Sequence, residues 1–313
     1  MTAYLRARLV TSLSVFWQLL RITVPVMLIV RLAEELGLIA LMAPALSPVM
    51  AVVGLPPEAG LVWLATLTVG IYGGLGALPL LADLPLSVAQ ISILSAMMLI
   101  AHALPIEQAI VRKAGASFWA TGALRFGTAV LYGAIVSAIS GATGWLAGPA
   151  ETGLLRAMAP ADADWIEWLI SSAASLAITF AIIVGLIVLL DLMERSGITR
   201  RLTQALQPVL RVSGLSADMA PVTTVGVLLG LTYGGGLIIK EARERDFTPK
   251  ARVLALSWIS LSHSLIEDTG VVLAIGADLW VVLAGRVLLT LLLVRLLATL
   301  MDALPRAVRW LAV

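Results

Sequence analysis

The sequence predicts an all-α integral membrane protein made of two inverted-topology repeats, each of about three spans plus a re-entrant or broken helix. Three observations predict it. First, 60% of the 313 residues are hydrophobic, 13% are charged and the mean hydropathy is +1.01, whereas soluble domains run at about half apolar and a quarter charged. Second, unrelated residue types recur at one offset (263 − 102 = 161): His102 and His263, Glu107 and Asp268, Tyr72 and Tyr233, Gly115 and Gly276, Trp119 and Trp280, Arg125 and Arg286. Third, each basic loop of one half faces a loop without basic excess at the equivalent place in the other.

Repeat 1 takes residues 1–140, an acidic linker 141–167 and repeat 2 168–313. The first span runs from about Ala7 to Val30. Arg6 and Arg8 stand at its start and Arg21 inside it, which reads as a retained signal-anchor helix. Its equivalent is Trp168 to Leu190, an apolar run long enough to cross a hydrocarbon core of about 30 Å, which takes ~20 residues. Next come Leu38 to Val53 and Ile198 to Val212. The second sets Leu202, Ala205, Leu206, Val209 and Leu210 opposite Arg200, Arg201 and Arg211, the pattern of a helix lying along an interface.

The segments Leu61 to Leu81 and Val222 to Lys240 are apolar but broken, at Tyr72-Gly73-Gly74 and at Tyr233-Gly234-Gly235. Each glycine weakens a helix by about 1 kcal/mol. Backbone groups freed by such a break have to be buried in protein or line a cavity. A span ending in the histidine and its carboxylate follows in each half. Phe118 to Ile139 and Leu279 to Leu300 are the last spans.

Cytoplasmic loops carry the Lys/Arg excess. Basic sites are the N-terminus, Arg112-Lys113, Arg195 to Arg211, Lys240 to Arg252 and Arg306/Arg309. Halves inserted in opposite orientation need an odd number of spans each. Six spans, two re-entrant segments and both termini in the cytoplasm satisfy the charges.

Several classes are excluded. The net charge of +2 comes from short clusters flanking apolar runs, so no nucleic-acid partner is expected. With no cysteine there is no disulfide and no thiolate chemistry. His-Glu-x-x-His, phosphate-loop and Gly-x-Ser-x-Gly patterns are lacking, so neither an enzyme nor a catalytic residue nor a cofactor is expected.

Inverted repeats with discontinuous helices place a site near the midplane, at the repeat interface. The substrate-binding candidates are His102, Glu107, His263, Glu267, Asp268, Tyr72, Gly73, Gly74, Tyr233, Gly234 and Gly235. Arg125 and Arg286 lie seven residues into their spans, about 10 Å of helix rise. They read as counter-ions to Glu107 and Asp268, as binders of an anionic group, or as side chains reaching for the headgroups. Two histidines and three carboxylates suit a divalent ion in principle, but the spacing assigns no residue as a metal ligand.

The run His102-x-x-Pro105-x-Glu107, followed by Arg112-Lys113-Ala-Gly115 and preceded by a Tyr-Gly-Gly break, resembles the nucleoside-recognition or Gate domain membrane proteins. Relatives of that domain occur in spore maturation proteins, in concentrative nucleoside transporters and in the membrane part of the bacterial ferrous-iron transporter. The resemblance covers roughly residues 20 to 140 and 175 to 302. It implies a bacterial inner-membrane permease for a small polar solute, nucleoside-like or another organic molecule. The alternatives are a divalent metal-ion permease and a non-transporting membrane scaffold. The implied partners are a small-molecule substrate, the lipid bilayer and, as a possibility left open, a second copy of the chain.

Overall fold

The computed structural model describes residues 2–150, 164–216, 219–229 and 247–303. Every regular element among them is helical, as the composition predicts. The long helix α1 (Thr2–Glu35) is followed by α2 (Leu38–Val52) and α3 (Pro57–Val69). Next come α4 (Ile71–Ala77), a 3₁₀ turn (Leu78–Leu81), α5 (Val88–Ile100), α6 (Leu104–Lys113) and α7 (Phe118–Thr143). The second half has α8 (Trp165–Arg195), α9 (Ile198–Val212), α10 (Met219–Leu229), α11 (Pro249–Leu261) and α12 (Glu267–Ala274). A π-helical segment (Trp280–Gly285) runs directly into α13 (Arg286–Ala303).

Local chemistry fixes the ends that matter. Helix α5 starts on a capping box, in which the Ser87 hydroxyl accepts from Gln90 N and the Gln90 side chain accepts from Ser87 N. It stops at Ala101 because His102 and Ala103 leave the helical conformation, with Ala103 at φ 44°. Pro105 then sits in the first turn of α6, where its missing N–H costs nothing. Helix α11 stops the same way at Ser262, and Ser264 takes φ 49°.

The helix ends keep the offsets of the sequence motifs. Helices α2 and α9 match at 160 at both ends (198 − 38 and 212 − 52), and α5 and α11 at 161 (249 − 88 and 261 − 100). Left-handed residues recur likewise: Gly37 with Gly197, Gly54 with Gly214, Ala103 with Ser264 and Gly115 with Gly276.

Four helical stretches among the described residues are long and apolar enough to cross a membrane: Val88–Lys113, Phe118–Thr143, Trp165–Arg195 and Trp280–Ala303. A fifth arises if Pro44–Val52 and Pro57–Val69, bent by 92°, count as one. Length alone therefore qualifies fewer than the six expected. In α1 the apolar helix that stands out is the short Thr23–Ala33, and α11 has only 13 residues before its break. Helix α9 is amphipathic as predicted, burying Leu210 while Arg200, Arg201 and Arg211 stay exposed.

The break in the first glycine-rich segment lies at Gly70, not at the Tyr-Gly-Gly run. Gly70 takes φ 112°, a value that favours glycine, while Tyr72, Gly73 and Gly74 belong to α4. The glycines are there for close packing. A Cβ on Gly74 would stand 2.0 Å from Thr66 Oγ1 and 2.7 Å from Met98 Cε, so only glycine lets α4 fold back onto α3 and α5. Tyr233, Gly234 and Gly235 lie outside the described residues.

Candidate functional site

The two breaks bring the two histidines together. His102 and His263 are both buried, and their Nε2 atoms stand 2.8 Å apart. Their ring centroids are 4.7 Å apart with the planes inclined at 58°. Glu107 completes the cluster, its Oε1 lying 3.2 Å from each Nε2. From the second half, Asp268 Oδ2 approaches His102 Nε2 at 4.0 Å.

Each ring is oriented by its own helix. His102 Nδ1 lies 3.0 Å from the carbonyl of Met98 and His263 Nδ1 lies 2.8 Å from that of Ile259, four residues back in each case. A carbonyl only accepts, so each Nδ1 carries a proton and donates it. The residue after each histidine is left-handed although neither is glycine, a conformation that costs about 1–2 kcal/mol. Ala103→Gly is therefore expected to raise stability by up to about 1 kcal/mol, read as a higher midpoint in detergent unfolding. A lower midpoint would show that the turn carries no strain.

The backbone groups left over at the breaks find partners across the fold. Ala103 N donates to Thr66 O at 2.9 Å, and Leu265 N donates to Val227 O at 3.2 Å. The short helices α3 and α10 thus close the ends of α5 and α11, and the buried main chain is satisfied as an apolar medium requires. The arginines close the other side. Arg125 Nε donates to Ile100 O at 2.8 Å and Arg286 Nη2 donates to His263 O at 3.2 Å.

Both arginines are fully buried. Of the readings open from the sequence, extension toward the headgroups does not fit these positions. Arg125 is the counter-ion of Glu107, its Nη1 bonding Oε2. Arg286 differs: its Nε and Nη1 have no hydrogen-bond partner among the described residues. Their capping of helix ends was not legible from spacing, although a lysine or arginine near a helix C-terminus commonly serves that role.

The remaining predicted residues divide. Tyr72 belongs to α4 and lies within electrostatic range of Glu267 and Asp268 of the other half. Gly73 N and Gly74 N donate to Gly70 O at 3.0 and 3.1 Å. Those amides are used inside the chain and not held open for a ligand. Links between the halves that the sequence did not suggest are Tyr132 OH to Val281 O at 2.7 Å and Asp278 N to Ser92 Oγ at 2.8 Å.

Residues 176–279 match the family model described as Gate, nucleoside recognition. The second half is similar to a Gate domain. That domain includes His263, Glu267 and Asp268 and ends before Arg286. The chain is also 26% identical over 302 residues to the uncharacterized membrane protein YvoD of Bacillus subtilis (strain 168), with 93% of each chain covered. No solved structure matches. A Gate domain in a multi-pass membrane protein points to a transport-related function.

Proposed function

We propose that the protein is a permease of the bacterial inner membrane, with a small polar solute passing through a centre that both halves build. One observation carries this reading. His102 and His263, 161 residues apart, meet at 2.8 Å inside a helical membrane core, each at the end of a broken helix. Buried ionisable groups at interrupted helices are expensive in a membrane and mark solute or ion paths.

The matching helix ends and left-handed residues of the two halves support a repeat, and the basic loops support its inversion with both termini cytoplasmic. A rocking of one half against the other would then part the histidine pair. Glu107 would go with His102 and Asp268 with His263. The description of the matched domain favours a nucleoside-like or other organic solute. The second reading, a divalent-cation permease, is favoured by the tightness of the centre, where contacts of 2.8 and 3.2 Å leave no room for a ring unless the halves separate.

The test is uptake into proteoliposomes of nucleosides, other polar organic solutes and divalent cations. Uptake of one class is expected, lowered at least tenfold by His102→Ala and by His263→Ala. Uptake that neither change alters would remove the centre from the path. Orientation is checked separately in the naturally cysteine-free chain. Single cysteines in the 35–56 and 195–211 loops should label from opposite sides, and labelling from one side would exclude inverted halves.

A further inference from the structure

We infer that His102, His263 and Glu107 form a binding site for a divalent transition-metal cation of the zinc class, with Asp268 as the fourth ligand. The inference takes the centre proposed above and names what it holds.

The argument starts from protons. Both Nδ1 atoms donate to helix carbonyls, so a neutral ring presents only a lone pair at Nε2, and the two Nε2 atoms stand 2.8 Å apart. The third group, Glu107 Oε1 at 3.2 Å from each, accepts as well, and the guanidinium of Arg125 engages the other carboxylate oxygen. With both rings neutral, three acceptors converge with no donor between them. Such an arrangement repels itself unless a cation lies among them.

The geometry fits a metal. Four ligands at about 2.0–2.1 Å around a tetrahedral ion stand about 3.3 Å from one another. The three side chains offer 2.8, 3.2 and 3.2 Å. An opening of about half an ångström between the rings admits the ion. Asp268 Oδ2, 4.0 Å from His102 Nε2, stands outside this three-ligand group and would have to move in to take the fourth position.

The surroundings fit too. Hydrogen bonds from each Nδ1 to a carbonyl, and from Arg125 to Glu107, are the outer-shell contacts that orient ligands. Imidazole with carboxylate suits zinc, manganese or iron, whereas magnesium and calcium prefer all-oxygen sets. The ligands come from both halves, so separating the halves splits the set and frees the ion.

The experiment uses the full chain in detergent, stripped with chelator and titrated with Zn²⁺ by calorimetry, with metal content measured by elemental analysis. One ion per chain is expected, with affinity lowered at least about 100-fold by His263→Gln or Glu107→Gln, more than loss of an outer-shell contact costs. Co²⁺ bound to the unaltered chain should show the visible bands of a four-coordinate nitrogen and oxygen site, which decides the matter even where a variant misfolds.

Substoichiometric Zn²⁺ in the unaltered chain, or a six-coordinate Co²⁺ spectrum, would overturn the inference and leave a proton shared by the histidines as the cation of the centre. Binding is read without transport, so the two proposals fail separately. A site that binds Zn²⁺ while no solute enters proteoliposomes sinks the permease and keeps the site. Organic-solute uptake without metal binding does the reverse.

Discussion

Replacing Arg125 with methionine is expected to destabilise the protein by about 3–5 kcal/mol, the cost of leaving a buried charge without its partner. Arg125 is fully buried and does two things at once: it pairs with Glu107 and its Nε closes the Ile100 carbonyl at the end of α5. Methionine fills a similar volume, so the loss is electrostatic and not a cavity. The measurement is the unfolding midpoint in detergent. Adding Glu107→Gln to Arg125→Met should recover part of the loss, since it removes the stranded charge while the open carbonyl remains. A single variant as stable as the parent would mean that Glu107 draws its charge balance from elsewhere. Arg286→Met should cost less, because Arg286 makes only the bond to His263 O while its Nε and Nη1 stay unpartnered among the described residues.

What could be read from the sequence follows from what each signal encodes. Hydropathy reports burial in hydrocarbon, so the all-helical membrane class was legible. The 161-residue offset singled out His102 and His263 before any geometry was known, and they are the pair that meets at 2.8 Å. The offset could not show that Glu107 alone bridges both rings, because the symmetric partner Asp268 stands back at 4.0 Å. Glu107 carries one methylene more than Asp268, and the offset matches positions, not side-chain reach. The glycine run misled in detail for a related reason. A glycine permits both a broken helix and a close helix contact, and composition does not distinguish them. Gly70, with its φ of 112°, breaks the helix, whereas Gly73 and Gly74 stay helical and permit contact. The arginine caps escaped notice because their acceptors, Ile100 O and His263 O, exist only once α5 and α11 have been interrupted.

The contact role of Gly74 gives the second large effect. Gly74→Ala is expected to cost about 1–3 kcal/mol by overpacking, although alanine is the better helix former by about 1 kcal/mol. The new methyl would fall 2.0 Å from Thr66 Oγ1 and 2.7 Å from Met98 Cε. Met98 can yield, since the atom met is the tip of a flexible side chain. Thr66 cannot do so cheaply, for it is fully buried and its hydroxyl donates to Val62 O at 2.9 Å. The strain therefore passes to α3, whose Thr66 carbonyl holds Ala103 N beside His102. In a double-mutant cycle, Thr66→Ala should absorb most of the cost of Gly74→Ala, giving a coupling of at least about 1 kcal/mol. Strictly additive losses would place the strain on Met98 instead. Because Met98 O also orients the His102 ring, both routes end at the histidine pair. Packing in the glycine-rich hairpin should therefore alter ligand binding at the centre even though the Gly73 and Gly74 amides are used inside the chain.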